Sequence, residues 1–257
     1  MAGRSERLVI TGAGGQLGSH LTAQAAREGR DMLALTSSQW DITDPAAAER
    51  IIRHGDVVIN CAAYTDVDGA ESNEAVAYAV NATGPQHLAR ACARVGARLI
   101  HVSTDYVFDG DFGGAEPRPY EPTDETAPQG VYARSKLADQ TGSPTYVADL
   151  AEALLALADA GVRGRVLHAA NEGVVSRFGQ ARAVFEECGA DPQRVRPVSS
   201  AQFPRPAPRS SYSALSSRQW ALAGLTPLRH WRSALATALA APANSTSIDR
   251  RLPSTRD

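Results

Sequence analysis

The chain is predicted to be α/β, a Rossmann-type doubly wound parallel sheet with a smaller C-terminal lobe, and three observations carry that prediction. Short apolar runs alternate with longer amphipathic ones through the first half. A glycine-rich stretch, Thr11-Gly12-Ala13-Gly14-Gly15-Gln16-Leu17-Gly18, separates the first apolar run from the first amphipathic one. Further along, Tyr132 and Lys136 stand one helical turn apart, which puts a phenol and an ammonium on one face.

Strands are expected at Arg7–Ile10, Met32–Leu35, Val57–Asn60 and Leu99–Val102. Each is nearly continuous in Val, Ile and Leu, as a parallel strand covered on both faces must be. Between them, Leu17–Arg27, Pro45–His54 and Glu74–Val95 carry apolar residues at helical spacing, giving successive βαβ units. A loop rich in Gly, Pro and acidic residues, Asp109–Gln129, leads into the helix of Tyr132. Tyr146–Ala160 reads as an amphipathic helix, Val166–Ala170 as a strand, and Ser176 as the N-cap of a helix over Phe178–Cys188. Residues 197–217, rich in Pro, suit an irregular lobe that covers a ligand, and the Pro, Ser, Thr and charge beyond Ala241 predict disorder.

With 257 residues and 43% hydrophobic content, the chain can bury a substantial core. A formal charge of -2 without any basic block argues against nucleic acid and anionic lipid, leaving a small-molecule partner. The N-terminus enters a strand without a signal-like apolar stretch and no run is long enough to span a bilayer, so a cytoplasmic protein is expected. Cys61, Cys92 and Cys188 are too far apart for a disulfide frame or a zinc site, and the six His show no ligand spacing.

The glycine stretch has the setting that a dinucleotide demands, a strand before and a helix after. Gly12, Gly15 and Gly18 allow a tight turn and close approach to a pyrophosphate, whose charge then faces the helix N-terminus at Gln16 and Leu17. Where an acidic residue would bind the ribose 2′-hydroxyl of NAD, the second strand ends in Thr36-Ser37-Ser38. Nothing there repels a 2′-phosphate, which favours NADPH while leaving NADH possible. Residues 1–170 then form the NADP-binding Rossmann domain, 171–241 a substrate-binding lobe with elements returning to it, and 242–257 a disordered tail. At Tyr132 the expected chemistry is reduction of a carbonyl: the Lys136 ammonium favours the phenolate, lowering the phenol pKa so that Tyr132 can give up its proton and regain it.

Gly12-x-x-Gly15-x-x-Gly18 with Tyr132-x3-Lys136 resembles the extended short-chain dehydrogenase/reductases. Within them, Gly15-Gln16-Leu17-Gly18, Asn60 to Asp68, Ser103-Thr104-Asp105-Tyr106-Val107-Phe108-Asp109-Gly110 and Gln140 to Tyr146 resemble the dTDP-4-dehydrorhamnose reductase family, over residues 7 to about 240. The resemblance implies NADPH-dependent reduction of the C4 ketone of dTDP-4-dehydro-L-rhamnose, for bacterial cell-envelope polysaccharide. It implies Tyr132 as general acid, Lys136 as its partner and a nicotinamide-ribose contact, and Thr104 as a hydroxyl on the reacting oxygen. Asp41 and Ile42 match the adenine-side contact, Ala62, Ala63, Tyr64 and Thr65 lie along the cofactor, and Val67, Thr104, Asp105 and Tyr106 line the sugar pocket. Some members carry magnesium at a dimer contact, which makes a magnesium ion with unassigned ligands, and a monomer or homodimer, the matching expectations. The rival readings are a non-catalytic NADP-binding subunit resembling the regulatory subunit of methionine adenosyltransferase, and a nucleotide-sugar epimerase or dehydratase.

The chain departs from that family in one place. There the Tyr–Lys helix continues for several turns and is followed by further strands and helices before the Gln-x-Gly-x-Pro-Thr string. Here Lys136-Leu137-Ala138 runs straight into Asp139-Gln140-Thr141-Gly142. A crossover segment is therefore expected to be missing at 138/139, and with it part of the sugar pocket.

Overall fold

The computed structural model describes residues 6–136, 142–197, 205–207 and 210–241. Four strands, β1 (Leu8–Thr11), β2 (Met32–Leu35), β3 (Val57–Asn60) and β4 (Arg98–His101), form one parallel sheet in the order β2-β1-β3-β4. Their register is in step: Leu8 lies opposite Met32 on one side and Val57 on the other, and Val57 lies opposite Arg98. The chain runs outward to β2, then crosses back over β1 to β3, which is the reversal that defines a doubly wound sheet.

Alternation along the strands builds two cores at once. Leu8, Ile10, Val57 and Ile59 face α1 (Gln16–Arg27) and meet its Leu21 and Ala25. Val9 and Val58 face the other way, onto Ala47 and Ala48 of α2 (Pro45–Ile51), while α3 (Val67–Ala70), α4 (Glu74–Tyr78) and α5 (Gly84–Val95) follow β3. Leu88, Ala91 and Cys92 of α5 complete that second layer. Beyond the short α6 (Val131–Lys136), α7 (Val147–Ala160) returns to the first layer and packs Ala151, Leu154, Leu155 and Ala158 beside α1. The C-terminal part holds β5 (Asn171–Glu172), α8 (Arg177–Glu187), α9 (Arg218–Leu222), β6 (Leu228–His230) and α10 (Trp231–Ala240), with β5 and β6 paired in parallel.

The four expected strands of the first half form within a residue of their predicted bounds, and Ser176 caps α8 by accepting from the Gly179 N–H at 3.1 Å. Three elements differ. The helix expected over Pro45–His54 ends at Ile51, where Ile52 turns extended to bury its side chain and Gly55 (φ +83°) steers the chain into β3. Glu74–Val95 is helical throughout, as expected, but not α throughout: between α4 and α5 the turns widen to π geometry over Ala79–Thr83, burying Asn81. Val166–Ala170 is not a strand; pairing starts only at Asn171. A cavity of about 1120 Å³ is lined both by Leu99 and Ile100 of β4 and by Val166 and Leu167, and no pairing joins the two segments. Strands pair only at about 4.8 Å, so the segment has no ladder to join. The 138/139 junction, the 242–257 tail and residues 198–204 and 208–209 of the Pro-rich stretch lie outside the described residues.

Buried polar side chains tie the carboxyl ends of the strands together. Thr11 Oγ1 donates to Asn60 Oδ1 at 2.5 Å, the same oxygen accepts from the Ala62 N–H at 3.1 Å, and Asn60 Nδ2 pairs with His101 Nδ1 at 2.9 Å. Asn60 is fully buried, so each of these bonds replaces water. Asn60→Leu keeps the volume but strands the Thr11 hydroxyl and the Ala62 N–H. The expected cost is roughly 2 kcal/mol, read as a lower urea midpoint at unchanged denaturant slope. A midpoint equal to wild type would show that the network contributes nothing net.

Candidate active site

The β1–α1 turn is shaped by close approach. Gly12 (φ +65°) sits so near the segment after β3 that a Cβ there would lie 2.6 Å from the Ala62 nitrogen, and a Cβ on Gly18 would strike the Gly12 carbonyl. Gly15 is the N-cap of α1 with no side chain bonded to the helix amides and no acid in its first turn. The helix start therefore presents open N–H groups and a positive dipole end at the carboxyl edge of the sheet, a cradle that fits a pyrophosphate. Gln16 and Leu17 open α1, Gln16 exposed and Leu17 partly buried against the core.

At the end of β2 the Thr36 hydroxyl bonds Ser38 Oγ at 2.9 Å and donates to Gln39 Oε1 at 3.0 Å, and that oxygen also accepts the Thr36 N–H at 2.9 Å. Gln39 escaped the sequence reading, which stopped at Ser38. Asp41 Oδ1 accepts from the N–H and hydroxyl of Thr43 at 2.9 and 2.8 Å, and the cap of α2 is Asp44. Ile42 buries its side chain in the second core layer, against Gly84. Ala62, Ala63, Tyr64 and Thr65 form an irregular segment leaving β3. Asn81 fixes that segment: its Oδ1 accepts the Tyr64 N–H at 2.9 Å and its Nδ2 donates to Tyr64 O and Ser135 Oγ, each at 3.1 Å. Ser135 in turn donates to the Tyr132 carbonyl at 2.8 Å. One buried amide thus joins the loop leaving β3 to the helix of Tyr132. Its only sequence signal was a polar residue inside an apolar helical run, and the π turn that aims it leaves no pattern.

Glu71 Oε1 accepts the Val131 N–H at 2.7 Å, which fixes the start of α6. Tyr132 then points into an aromatic cluster with Val67, Tyr64, Tyr78 and Tyr106, its ring meeting that of Tyr106 edge-on at 5.5 Å. Lys136 closes α6 one turn later, and its side chain lies outside the described residues. Thr104 caps the short turn Asp105–Val107, accepting from Tyr106 N at 3.3 Å, and its hydroxyl donates to Asp105 Oδ1 at 3.2 Å. The structure thus brings Tyr132, Thr104, Asp105, Tyr106 and Val67 together at the carboxyl end of the sheet. The glycine turn lies on the same edge, two strands away.

Lys136 aside, whose side chain lies outside the described residues, the surroundings of the phenol raise its pKa. Burial, helped by Tyr106 and the Asp105 carboxylate, pushes Tyr132 up to about 12, with the Thr104 hydroxyl pulling the other way. Asp105 is likewise pushed up by burial, against hydrogen bonds from Ser213 and Thr104. A phenol so held keeps its proton at neutral pH, the state a donor needs.

A glycine cradle and a buried tyrosine sharing the carboxyl edge of a parallel sheet define a dehydrogenase/reductase of the extended short-chain class. The family model described as RmlD substrate binding domain matches residues 6–138 and 137–243. A dTDP-4-dehydrorhamnose reductase of Mycobacterium tuberculosis is 84% identical, covering all of both chains. The chain belongs to the dTDP-4-dehydrorhamnose reductase family. A crystal structure of a Bacillus anthracis dTDP-4-dehydrorhamnose reductase in complex with NADP superposes with a TM-score of 0.83 at 30% identity, covering 92% of this chain and 99% of that one. A Thermus thermophilus UDP-glucose 4-epimerase shares only the fold, at 20% identity and a TM-score of 0.69 over 90% of this chain and 96% of its own. The match to the family breaks at 137–138, and the M. tuberculosis alignment runs 304 positions against 257 residues here. The relative therefore carries residues without counterpart in this chain. Among the described residues no cluster of His, Cys, Asp and Glu could hold a metal.

Because burial disfavours the charged phenolate, Tyr132 should ionise later than a free tyrosine. Ultraviolet titration should show a step near 12, above the usual 10, that disappears in Tyr132→Phe. A Tyr132-dependent step at or below 10 would contradict the burial argument.

Proposed function

We propose that the chain is an NADPH-dependent oxidoreductase that reduces the C4 ketone of dTDP-4-dehydro-L-rhamnose to dTDP-L-rhamnose, in the bacterial cytoplasm, for cell-envelope polysaccharide. The observation that carries this reading is the buried Tyr132 beside Thr104, on the sheet edge that also holds the glycine cradle. Kinship at 84% identity with reductases so named supports the substrate, and it supports neither the regulatory-subunit nor the epimerase reading. Among the described residues no helix is long and apolar enough to cross a membrane.

When bound, NADPH supplies the hydride that reaches the ketone carbon. The chain does the rest. Gly12, Gly15 and Gly18 leave room for the pyrophosphate, and the uncapped start of α1 opposes its charge. Thr36, with Ser38 and Gln39, offers hydroxyl and amide groups without a carboxylate to the adenosine ribose, which suits a 2′-phosphate. Asp41, and Ile42 through its backbone, stand for the adenine side. Ala62 to Thr65 run along the cofactor. Tyr132 gives its proton to the ketone oxygen as negative charge develops there, and Thr104 presents a hydroxyl to the same atom. Lys136 would hold the nicotinamide ribose and favour the phenolate left behind. Val67, Asp105 and Tyr106 shape the sugar side, within a substrate lobe drawn from residues 171–241.

The deciding experiment is loss of NADPH absorbance on adding dTDP-4-dehydro-L-rhamnose, with dTDP-L-rhamnose recovered as product. No oxidation by a folded, NADPH-binding chain would sink the reading. Tyr132→Phe is expected to slow turnover about 10²- to 10⁴-fold with the NADPH dissociation constant little changed. A variant as fast as wild type would remove Tyr132 from the donor role. Thr36→Asp is expected to move preference toward NADH, because a carboxylate repels the 2′-phosphate and accepts from a 2′-hydroxyl. Dissociation constants of both cofactors check it, and an unchanged ratio would mean that this strand end does not read the ribose.

A further inference from the structure

Asp105 is partly buried at the site, and both of its oxygens are engaged. Oδ1 accepts from the Thr104 hydroxyl at 3.2 Å, and Oδ2 accepts from the Ser213 hydroxyl at 2.7 Å. Ser213 is itself fully buried and belongs to the Pro-rich stretch 197–217, more than a hundred residues away in sequence. Two neighbours fix it there. The Tyr120 N–H donates to Ala214 O at 2.8 Å and the Ser216 N–H donates back to Tyr120 O at 2.9 Å, so 214–216 is laced to the loop that follows Asp105. Gly142 lies over the pair, where a Cβ would come within 2.8 Å of Asp105 Oδ2.

The Thr104 hydroxyl has one proton and two claimants. One is Asp105 Oδ1; the other is the Tyr132 oxygen, which stands where charge must pass during reduction. A carboxylate already bonded at Oδ2 by a short, buried O–H is a weaker acceptor at Oδ1. We infer that Ser213 is a positioning residue of the reaction: by holding Asp105 it frees the Thr104 hydroxyl to serve the Tyr132 phenol and the reacting oxygen. The inference rests on the reductase reading above. It assigns Ser213 no contact with substrate, and it makes the C-terminal lobe a contributor to the donor pair rather than a cover alone.

The charged and titratable groups that face Asp105 are Tyr132 from α6, Tyr106 from its own turn and, by longer-range attraction, Arg177 at the start of α8; the hydroxyls are those of Thr104 and Ser213. Of these, Ser213 and Thr104 favour the carboxylate against burial. Removing the Ser213 hydroxyl takes away one stabiliser of the charged form, so Asp105 must protonate at higher pH in Ser213→Ala and return toward wild type in Ser213→Thr.

The test has two arms. In the first, carboxyl-carbon NMR of aspartate-labelled protein follows the Asp105 resonance, identified by its loss in Asp105→Asn, through a pH titration. It needs no turnover, so it decides the Ser213–Asp105 link even if the reductase assay fails. In the second, steady-state kinetics should show kcat and kcat/KM falling together in Ser213→Ala, on the order of tenfold, with NADPH affinity unchanged and Ser213→Thr restoring both. In a Thr104→Val background Ser213→Ala should cost nothing further, because its effect travels through the missing hydroxyl. An Asp105 titration that does not move, or a Ser213→Ala cost that is undiminished in Thr104→Val, would overturn the inference.

Discussion

The carboxyl end of the sheet is held by one amide. Asn60 spends its oxygen on Thr11 and on the Ala62 N–H, and its nitrogen on His101, so three adjacent strands and the loop leaving β3 share a single buried group. Everything that makes the site depends on that edge being fixed. Gly12 can pass against Ala62 only because the loop after β3 is drawn in, and the loop is drawn in because Asn60 accepts from its first free amide. From there Asn81 carries the constraint outward, from Tyr64 to Ser135 and the carbonyl of Tyr132. The phenol is thus positioned by a relay of satisfied polar groups in a low-dielectric setting, where an unmade bond is costly.

The parts of the fold that were legible in the sequence are those where local pattern and global packing agree. Val57-Val58-Ile59 reads as a strand because both of its faces are covered, and both are: Val57 and Ile59 face one layer, Val58 the other. Val166–Ala170 has the same local character and forms no strand, since a short apolar run says nothing about whether a neighbour is present. Tyr132 and Thr104 were legible through spacing and string. The upward shift of the phenol was not, because it comes first from burial and then from Tyr106 and Asp105, all of them products of folding rather than of register. Asn81, Gln39 and Ser213 were missed for a related reason: each acts through a turn or a distant loop, and none belongs to a pattern with a period.

The discontinuity at 137–138 has a spatial counterpart. Where the family match breaks, the sheet ends at β4 and a cavity of about 1120 Å³ takes the place of further pairing. Its walls mix apolar side chains with Arg98 and Arg165, and such a volume costs the surrounding residues the contacts that close packing would give. Thr104 and Asp105 line this cavity together with Leu150, Leu154 and Leu157 of α7, and α7 still packs on α1 through Leu154 and Leu155. The Rossmann core is thus closed by a helix that follows the break, which explains how a chain interrupted there keeps its nucleotide half intact.

The widened turn at Ala79–Thr83 bears on how this protein can change in length. A π turn holds one more residue than an α turn in the same rise, and here the surplus is what swings Asn81 inward. Removing one of the residues that flank Asn81 within Ala79–Thr83 would let the helix relax to ordinary geometry at little local cost, with the turns on either side kept in register. Asn81 would then leave Tyr64 and Ser135 while Leu88 kept its place in the core. Such a deletion would be silent to a folding assay and visible only in the chemistry, so this stretch is one where the length of the chain, more than the identity of its side chains, is under functional constraint.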